Sequence, residues 1–257
     1  MNIAGKVAVV TGGASGLGYA TVKGYAAKGA RIAVFDRDEQ RGRGIVDEIG
    51  ADRAAFYAVD VSSEASVGSA VESVIEQFGA IHICNNFAGI GIPEKTLGKD
   101  SVHSLANYQQ VIDVNLVGTF NVCRLVAEQM KNNAVDNGEE CRGVITNTAS
   151  VAAYEGQVGQ VAYSASKGGV VSMTLPMARD LAAVGIRVNT IVPGLFHTPL
   201  FDTLPDTVYR ALEASVVNPQ RLGRPDEVAH LAVMIVENDY MNGESIRLDG
   251  AIRMQPR

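Results

Sequence analysis

The stretch Val7-Ala8-Val9-Val10-Thr11-Gly12-Gly13-Ala14-Ser15-Gly16-Leu17-Gly18 decides the fold of this 257-residue chain. Its apolar, β-branched start predicts a buried strand, and apolar residues at three- and four-residue steps predict a helix over 18–28. The glycines between them permit a tight turn and a close approach of the backbone to a pyrophosphate, which the helix N-terminus attracts through free N–H groups and its dipole. A glycine turn is a weak signal alone, but this one has the required strand, turn and helix context.

An acidic residue, Asp36, ends the second predicted strand twenty residues after Gly16. A carboxylate at this place can accept hydrogen bonds from the hydroxyl groups of an adenosine ribose and would repel a ribose phosphate. The residue therefore favours NAD over NADP as the cofactor, although Arg37 beside it points the other way. The alternatives are an ordinary turn and a solvated strand end. Asp60 and Val61 follow the third predicted strand, where adenine would lie, although Asp60 alone would more often be a helix cap.

Outward from the glycine turn, short β-branched runs alternate with longer helical patterns, which is typical of repeated βαβ units. The sequence predicts a single α/β domain over 1–257, a Rossmann-type doubly wound parallel sheet of about seven strands with helices on both faces. The predicted strands are 7–10, 32–35, 55–59, 81–84, 144–147, 186–192 and 245–248. Representative predicted helices are 18–28, 65–77, 108–130, 162–182 and 226–236.

Two stretches lack this alternation of strand and helix patterns. Residues 91–107 are polar without clear periodicity, and residues 198–224 carry several prolines among apolar side chains, including Pro199, Leu200, Phe201 and Leu204. Long irregular stretches in compact domains are usually functional lids or surface insertions. We therefore expect a substrate lid around 195–224.

Composition limits the class of protein. The chain is 47% hydrophobic with a net charge of −6, which predicts a folded protein and argues against nucleic acid as a partner. No apolar run approaches the ~18 residues of a membrane span, and nothing before the first strand resembles a targeting segment. The cysteines Cys84, Cys123 and Cys141 have no CxxC spacing, which is typical of a reducing compartment and predicts no metal site. We expect a cytoplasmic protein.

The candidate catalytic residues are Tyr163, Lys167, Ser150 and Asn115. Tyr163 and Lys167 are four residues apart in a helical pattern, so they share one face, and an adjacent ammonium could stabilise a tyrosinate base. Ser150 ends a predicted strand and could hydrogen-bond the reacting oxygen, while Asn115 could relay protons through water. A lone Tyr/Lys pair is more often a surface feature, and a lone Asn is more often a buried hydrogen-bonding residue. The combination with the glycine turn is what makes the pattern specific.

Together these motifs resemble the short-chain dehydrogenases/reductases, whose motifs occur here in order along essentially the whole chain. They are Thr11–Gly18, Asn86-Phe87-Ala88-Gly89, Asn115, Ser150, Tyr163 to Lys167 and Pro193-Gly194. The resemblance implies an NAD-dependent oxidoreductase. The cofactor-binding residues that this implies are Gly12, Ser15, Gly16, Leu17, Gly18, Asp36, Asp60, Val61, Asn86, Phe87, Ala88, Gly89, Tyr163, Lys167, Pro193, Phe196 and Thr198.

Within the family the sequence is most similar to the type-II 3-hydroxyacyl-CoA dehydrogenases, in the stretches 114–122, 147–167, 194–200 and 242–256. This resemblance implies a 3-hydroxyacyl-CoA substrate, including 2-methyl-3-hydroxybutyryl-CoA, in the degradation of fatty acids and branched-chain amino acids. It also links the insertion 91–107 to the CoA thioester. The implied substrate contacts are Ser150, Gln157, Gln160 and Tyr163. Two residues depart from the expected pattern: His197, which could narrow the pocket mouth, and Phe87, where a smaller residue is expected.

Alternative functions stay open. A lid rich in Leu and Phe would also suit a hydroxysteroid or a broad range of secondary alcohols. A binding subunit of an RNA-processing complex is the non-enzymatic alternative, against which the intact Ser150, Tyr163 and Lys167 and the acidic charge balance argue. The family resemblance further implies a homotetramer.

Overall fold

The computed structural model describes residues 1–135, 141–198 and 205–256. Within these ranges the strands are β1 (Val7–Thr11), β2 (Arg31–Asp36), β3 (Ala54–Ala58), β4 (Ile83–Asn86), β5 (Gly143–Thr148), β6 (Ile186–Pro193) and β7 (Ser245–Leu248). The helices are α1 (Gly16–Ala27), α2 (Glu39–Ile49), α3 (Glu64–Phe78), α4 (Leu105–Ile112), α5 (Gly118–Met130), α6 (Val161–Ala182), α7 (Asp206–Ser215) and α8 (Pro225–Glu237). A π-helical turn, Asp113–Val117, joins α4 to α5, and a 3₁₀ turn, Val151–Ala153, precedes α6.

The strands form one parallel sheet in the order β3-β2-β1-β4-β5-β6-β7. Thr11, the last residue of β1, lies opposite Phe35 of β2 and Asn86 of β4. Because all strands run the same way, their carboxyl ends meet at one edge of the sheet. The strand order reverses between β1 and β4, and ligands of open α/β sheets bind in the crevice at such a reversal. The predicted Rossmann-type fold is confirmed.

Two apolar layers cover the sheet. Successive side chains of a strand point to opposite faces. Val7 and Val9 therefore join the buried cluster formed with α3, α5 and α6, whereas Ala8 and Val10 join the cluster formed with α1, α2 and α8. Apolar burial on both faces explains why the strands read as continuous apolar runs.

All seven predicted strands are confirmed, with bounds that differ by at most two residues. The helix predicted over 108–130 is wrong in one respect, since the π-helical turn interrupts it after Ile112. The representative helices predicted from the sequence do not include α2, whose buried residues are only Gly42 and Ile45.

The insertion 91–107 is more ordered than its polar sequence predicts. Leu97 and Val102 form an isolated antiparallel bridge. The Glu94 carboxylate accepts hydrogen bonds from the Ser104 backbone N–H at 2.8 Å and the Asn107 side-chain amide at 2.9 Å. Local polar contacts, which hydrophobic periodicity cannot reveal, hold this segment next to α4.

The predicted lid, 195–224, lies partly outside the described residues, because Pro199, Leu200, Phe201 and Leu204 fall in 199–204. The described part includes α7, which buries no side chain. That this region closes over a substrate stays a prediction.

Two glycines of α2 provide a matched test of its packing. A Cβ at Gly42 would lie 2.0 Å from the Phe56 ring, whereas a Cβ at exposed Gly44 would meet nothing within 4 Å. We expect Gly44→Ala to raise the thermal midpoint by about 2–4 °C, because alanine favours a helix by about 1 kcal/mol over glycine. Gly42→Ala should lower it, because the clash outweighs this gain. Thermal unfolding followed by circular dichroism checks both, and equal shifts of the two variants would contradict the packing.

Candidate active site

The glycine turn and the loop after β4 are in close contact. Gly12 has a φ of +63°, and a Cβ there would lie 2.7 Å from the Ala88 backbone nitrogen. A Cβ at Gly18 would lie 2.1 Å from the Gly12 carbonyl oxygen. Thr11 joins the same two loops, since its carbonyl accepts the Phe87 N–H at 3.1 Å and its hydroxyl accepts the Ala88 N–H at 3.2 Å. Glycine is therefore required at these two positions by backbone packing within the protein itself.

The N-terminus of α1 opens beside the glycine turn. Ser15 precedes the helix in an extended conformation, and its side chain makes no capping hydrogen bond. Gly16 has a φ of +52°, and a Cβ there would lie 3.6 Å from the Thr198 methyl group. The first N–H groups of a helix have no partner within the helix and carry its positive dipole end. Gly16, Leu17 and Thr198 thus surround a place that suits a pyrophosphate.

Asp36 lies at the carboxyl end of β2, next to this turn. One carboxylate oxygen accepts the Ala14 N–H at 2.9 Å, and the other accepts the N–H groups of Arg37 at 2.7 Å and Asp38 at 3.0 Å. These contacts fix the orientation of the carboxylate, and the oxygen that accepts the Ala14 N–H keeps a lone pair for a further donor. The side chain is partly exposed. A ribose hydroxyl would find an acceptor oxygen here.

Asp60 and Val61 follow β3 at the same edge of the sheet. The backbone N–H and the hydroxyl of Ser62 donate to one Asp60 oxygen, at 3.0 and 2.6 Å, and the hydroxyl bond is the main reason that the pKa of Asp60 is lowered. The Val61 carbonyl accepts the Asn121 side-chain amide at 3.0 Å. These bonds hold the segment where the adenine-side contacts are predicted.

Asn86 does not point into the crevice. Its side chain is buried and donates to Asn147 Oδ1 at 2.9 Å and to Cys123 Sγ at 3.3 Å. The residue therefore ties β4 to β5 and α5 and positions the loop that follows, which consists of Phe87, Ala88 and Gly89.

Asn115 lies fully buried in the π-helical turn. Its side chain accepts the Ile90 N–H and donates to the Ile90 carbonyl, both at 2.8 Å, and donates to Ser166 Oγ at 3.1 Å. A Cβ at Gly89 would lie 3.2 Å from Asn115 Oδ1 and 3.5 Å from Lys167 Nζ. The π-helical turn thus brings Asn115 next to Lys167, as the proton-relay hypothesis requires.

Ser150, Tyr163 and Lys167 converge where β5 ends and α6 begins. Ser150 precedes the 3₁₀ turn, where its hydroxyl accepts the Ala152 N–H at 3.2 Å, and its side chain lies close enough to Tyr163 to lower the pKa of that residue. Lys167 is 4% exposed, and its ammonium donates to the Thr148 carbonyl at 2.7 Å and lies 5.8 Å from the centre of the Tyr163 ring. The helical spacing of the sequence therefore does place the two side chains on one face.

Burial changes the charge of both groups. It raises the pKa of Tyr163, and the Ser150 hydrogen bond lowers it by a smaller amount. It also lowers the pKa of Lys167 to about 8. The sequence predicts that Lys167 lowers the Tyr163 pKa, but desolvation by burial, which raises it, is the larger effect. At neutral pH most Lys167 side chains remain protonated.

The end of β6 and the segment after it contain both buried and exposed side chains. Pro193 is buried, and Phe196 is buried against Gly223, with which it forms a parallel bridge. His197 is exposed and contacts the Tyr209 hydroxyl at 3.2 Å. His197 is thus tied to α7 of the predicted lid.

The predicted substrate contacts Gln157 and Gln160 are partly engaged within the protein. Gln160 Oε1 accepts the Gln157 N–H at 3.0 Å, and Gln157 Nε2 donates to the Gln255 carbonyl at 2.9 Å. Both lie on the loop between Ser150 and Tyr163. Their contact with an acyl group stays a prediction.

Known proteins identify the family. A family model described as short chain dehydrogenase matches residues 6–208. The chain is 54% identical over 257 residues to a Bos taurus protein named 3-hydroxyacyl-CoA dehydrogenase type-2, covering 99% of this chain and 98% of that protein. The chain belongs to the short-chain dehydrogenase family. It is an oxidoreductase that uses a nicotinamide cofactor.

Two further relatives define the range of similarity. A crystal structure titled 3-hydroxyacyl-CoA dehydrogenase type-2 from Mycobacterium avium matches with a TM-score of 0.92 and 40% identity, covering 98% of each chain. A Mycobacterium tuberculosis protein named 3-alpha-(or 20-beta)-hydroxysteroid dehydrogenase is 34% identical, covering 96% of this chain and 88% of that protein. The fold and the enzyme class are thus common to relatives with differently named substrates.

The residues of this short-chain dehydrogenase fit a nicotinamide dinucleotide. The open N-terminus of α1 offers donors to phosphates, Asp36 offers acceptors to a ribose, and the crevice lies at the strand-order reversal. Within the described residues, no group of three His, Cys, Asp or Glu side chains is placed to hold a metal ion. Across the same part of the chain, no helix combines the length and hydropathy that would span a membrane.

The sequence motifs assigned no role to several residues that support the site. Thr11 and Thr148 act through backbone or hydroxyl oxygens, and Ser166 holds Asn115. Their neighbours in the chain offered a signal, since Thr11 precedes the glycine turn and Ser166 precedes Lys167. Nothing in the sequence marks which oxygen of Thr148 is used.

The buried ammonium of Lys167 predicts a dependence of stability on pH. The folded pKa of about 8 lies below the ordinary lysine pKa of 10.5, so the unfolded chain binds the extra proton between these values and stability rises with pH there. We expect the free energy of unfolding of wild type, relative to that of Lys167→Met, to rise by about 2–3 kcal/mol between pH 7 and 10.5, since one pKa unit is about 1.4 kcal/mol. Urea unfolding at several pH values measures this difference.

The exposed Lys131→Met variant controls for the loss of a lysine at the surface. If the stabilities of wild type and Lys167→Met change in parallel over this pH range, Lys167 is not desolvated as described.

Proposed function

We propose that this short-chain dehydrogenase uses NAD to interconvert 3-hydroxyacyl-CoA and 3-ketoacyl-CoA. The observation that carries the reaction class is the convergence of Ser150 and Tyr163 with the buried ammonium of Lys167, which lies 5.8 Å from the centre of the Tyr163 ring. The substrate class rests on the 54% identity to a relative named for it, over almost the full length of both chains.

Asp36 supports NAD as the form of the nicotinamide cofactor. Its carboxylate is held by three backbone N–H groups and keeps acceptor capacity for the ribose hydroxyls. A phosphate on that ribose would face the negative charge at close range, which costs free energy. Arg37 is the feature that points towards NADP, and its charge acts on Asp60, whose pKa it lowers.

The proposed mechanism assigns proton handling to the protein. Tyr163 removes the proton of the C3 hydroxyl, and Ser150 donates a hydrogen bond to the same oxygen as it becomes a carbonyl. Lys167, mostly protonated at neutral pH, stabilises the anionic form of Tyr163. Asn115 holds the neighbouring turn and connects Lys167 to water. When bound, NAD accepts the hydride from C3.

Two segments are proposed to contain the acyl-CoA. A Cβ at Gly91 would lie 3.8 Å from Tyr163 Cδ2, so the insertion 91–107 begins beside the catalytic tyrosine. The region 195–224 begins beside the N-terminus of α1 through Thr198. We propose that the insertion contacts the CoA portion and that the lid covers the acyl group, including the branched 2-methyl-3-hydroxybutyryl group. Gln157 and Gln160 are proposed to contact the acyl group from the loop between Ser150 and Tyr163.

A hydroxysteroid dehydrogenase is the second candidate. The specific observation in its favour is the 34% identity to a relative named for that activity. The same catalytic groups would serve a secondary alcohol on a steroid, so only the substrate decides between the two.

Assembly and location are proposed from less direct support. Half-exposed apolar side chains occur at Val117, Phe120, Val161 and Leu175, next to or within α5 and α6. Apolar surface of this kind is typical of a subunit interface, and we propose a homotetramer built through these helices. The cytoplasmic location stays a prediction.

The first test is the oxidation of 3-hydroxybutyryl-CoA, its 2-methyl analogue and a hydroxysteroid, followed as NADH absorbance with purified protein. We expect kcat/KM to be at least about tenfold higher for the CoA thioesters, a difference of about 1.4 kcal/mol in transition-state binding. Turnover of the steroid without thioester activity would retain the reaction class and reject the proposed substrate.

The proton-transfer role of Tyr163 is tested by Tyr163→Phe. This variant should lose at least about 10²–10⁴-fold in kcat, the usual contribution of general acid–base catalysis, while NADH affinity stays within about twofold. Tyr240→Phe, at a fully exposed tyrosine, is the matched control and should retain activity. Near-normal turnover by Tyr163→Phe would show that another group is the base.

The choice between NAD and NADP is tested by Asp36→Asn, which keeps the shape and removes the charge. We expect the ratio of kcat/KM for NAD over NADP to fall at least about tenfold, since hydrogen bonds to charged groups contribute about 1.5–3 kcal/mol. Asp47→Asn, an exposed acid on α2, is the control. An unchanged ratio would mean that another residue selects the cofactor.

A further inference from the structure

A cluster of four charged side chains lies beside the loop that connects Ser150 to Tyr163. Glu155 accepts hydrogen bonds from both terminal nitrogens of Arg247, at 2.9 and 3.3 Å. Arg247 also donates to Asp249 at 2.7 Å, and Arg253 reaches Asp249 at 3.3 Å and Glu155 at 3.4 Å. Glu155 and Asp249 are only 20% and 10% exposed, so these are more than surface ion pairs.

The chain after β7 returns across the same loop. We call residues 249–256 the C-terminal strap and residues 154–160 the substrate loop. The Met254 N–H donates to the Glu155 carboxylate at 3.0 Å, and the Pro256 carbonyl accepts the Val158 N–H at 3.0 Å. Together with the bond from Gln157 to Gln255, the strap holds the substrate loop at three successive points.

Apolar packing joins the strap to the residues that flank Ser150. Met254 packs against the small buried cluster that contains Ala149 and Val151, the residues immediately before and after Ser150. The strap therefore contacts both the substrate loop and the backbone that carries the Ser150 hydroxyl. Neither contact involves residues of the cofactor site.

The substrate loop is also held from its other side. The Glu94 N–H of the insertion 91–107 donates to the Gly159 carbonyl at 2.9 Å. The loop is thus fixed between the insertion and the strap, and its conformation depends on both.

We propose that the C-terminal strap, together with Glu155 of the substrate loop and Arg247 of β7, is a positioning element of the active site. It sets the position of Ser150 relative to Tyr163 and shapes the acyl side of the pocket. The proposal deepens the proposed function and rests on it. Glu155 and Arg247 act through other residues and touch neither the reacting atoms nor the cofactor. A partly buried ion pair whose partners are also hydrogen-bonded to backbone gives a defined geometry to the segments that it joins.

The position of Ser150 also affects the pH dependence of turnover. The Ser150 hydrogen bond lowers the pKa of Tyr163 against the effect of burial. Displacement of Ser150 would weaken that bond, so the pKa of the catalytic base would rise. A contact that only stabilised the fold would leave the pKa of the base unchanged.

The test compares Glu155→Gln and Met254→Ala with Glu39→Gln, which breaks the exposed Glu39–Arg43 pair on α2. We expect Glu155→Gln and Met254→Ala each to lose at least about tenfold in kcat/KM for 3-hydroxybutyryl-CoA. The midpoint in the pH profile of kcat/KM should be higher, and NADH affinity should stay within about twofold of wild type. The control variant should match wild type in all three measurements.

Two variants keep the test decisive. Met254→Ala removes no charge, and it still tests the proposal if Glu155→Gln does not fold. Wild-type turnover of the thioester decides the proposed function separately, and the strap variants are compared on whichever alcohol the wild type oxidises. A folded strap variant whose kcat/KM and pH midpoint equal those of the control would overturn the proposal.

Discussion

Parallel pairing of the strands is the constraint on which the site depends. It brings the carboxyl ends of β1, β2, β4 and β5 to one edge of the sheet. The edge therefore collects residues that are distant in the chain, namely Thr11, Asp36, Asn86 and Ser150. The glycines then allow the loops at this edge to approach each other closely, since the backbone of Ala88 occupies the space where a Cβ of Gly12 would be. The cofactor crevice is therefore a consequence of backbone packing, to which side chains add specificity.

Below this edge, buried polar groups hold the loops in place. Asn86 bonds to Asn147 and Cys123, and Asn115 bonds to both polar atoms of the Ile90 backbone. Such networks give a fixed geometry at the cost of desolvation. For Lys167 this cost is large because its ammonium is buried. Its lowered pKa means that the fold tolerates an unfavourable charge at neutral pH. Catalytic geometry and stability are thus in opposition at this residue.

Sequence reasoning was successful where the signal is local. The strands were predicted because parallel, doubly covered strands are continuous apolar runs, and Tyr163 and Lys167 were placed on one face because four residues make about one helical turn. It treated 108–130 as one helix because apolar spacing does not reveal a π-helical turn. It gave Asn86 a direct role at the cofactor, whereas its side chain is buried and supports the loop.

The sequence by itself determined the class of this protein: the strand–turn–helix context of Gly12 to Gly18, the acid at Asp36 and the spacing of Ser150, Tyr163 and Lys167 are local patterns whose chemistry can be read directly. Only the tertiary structure decided how these parts are supported. The Glu155–Arg247 ion pair joins residues 92 positions apart, and the burial of Lys167 requires β5 and α6 to pack together. Such contacts depend on chain crossings that no local pattern encodes, and desolvation exists only once the protein has folded.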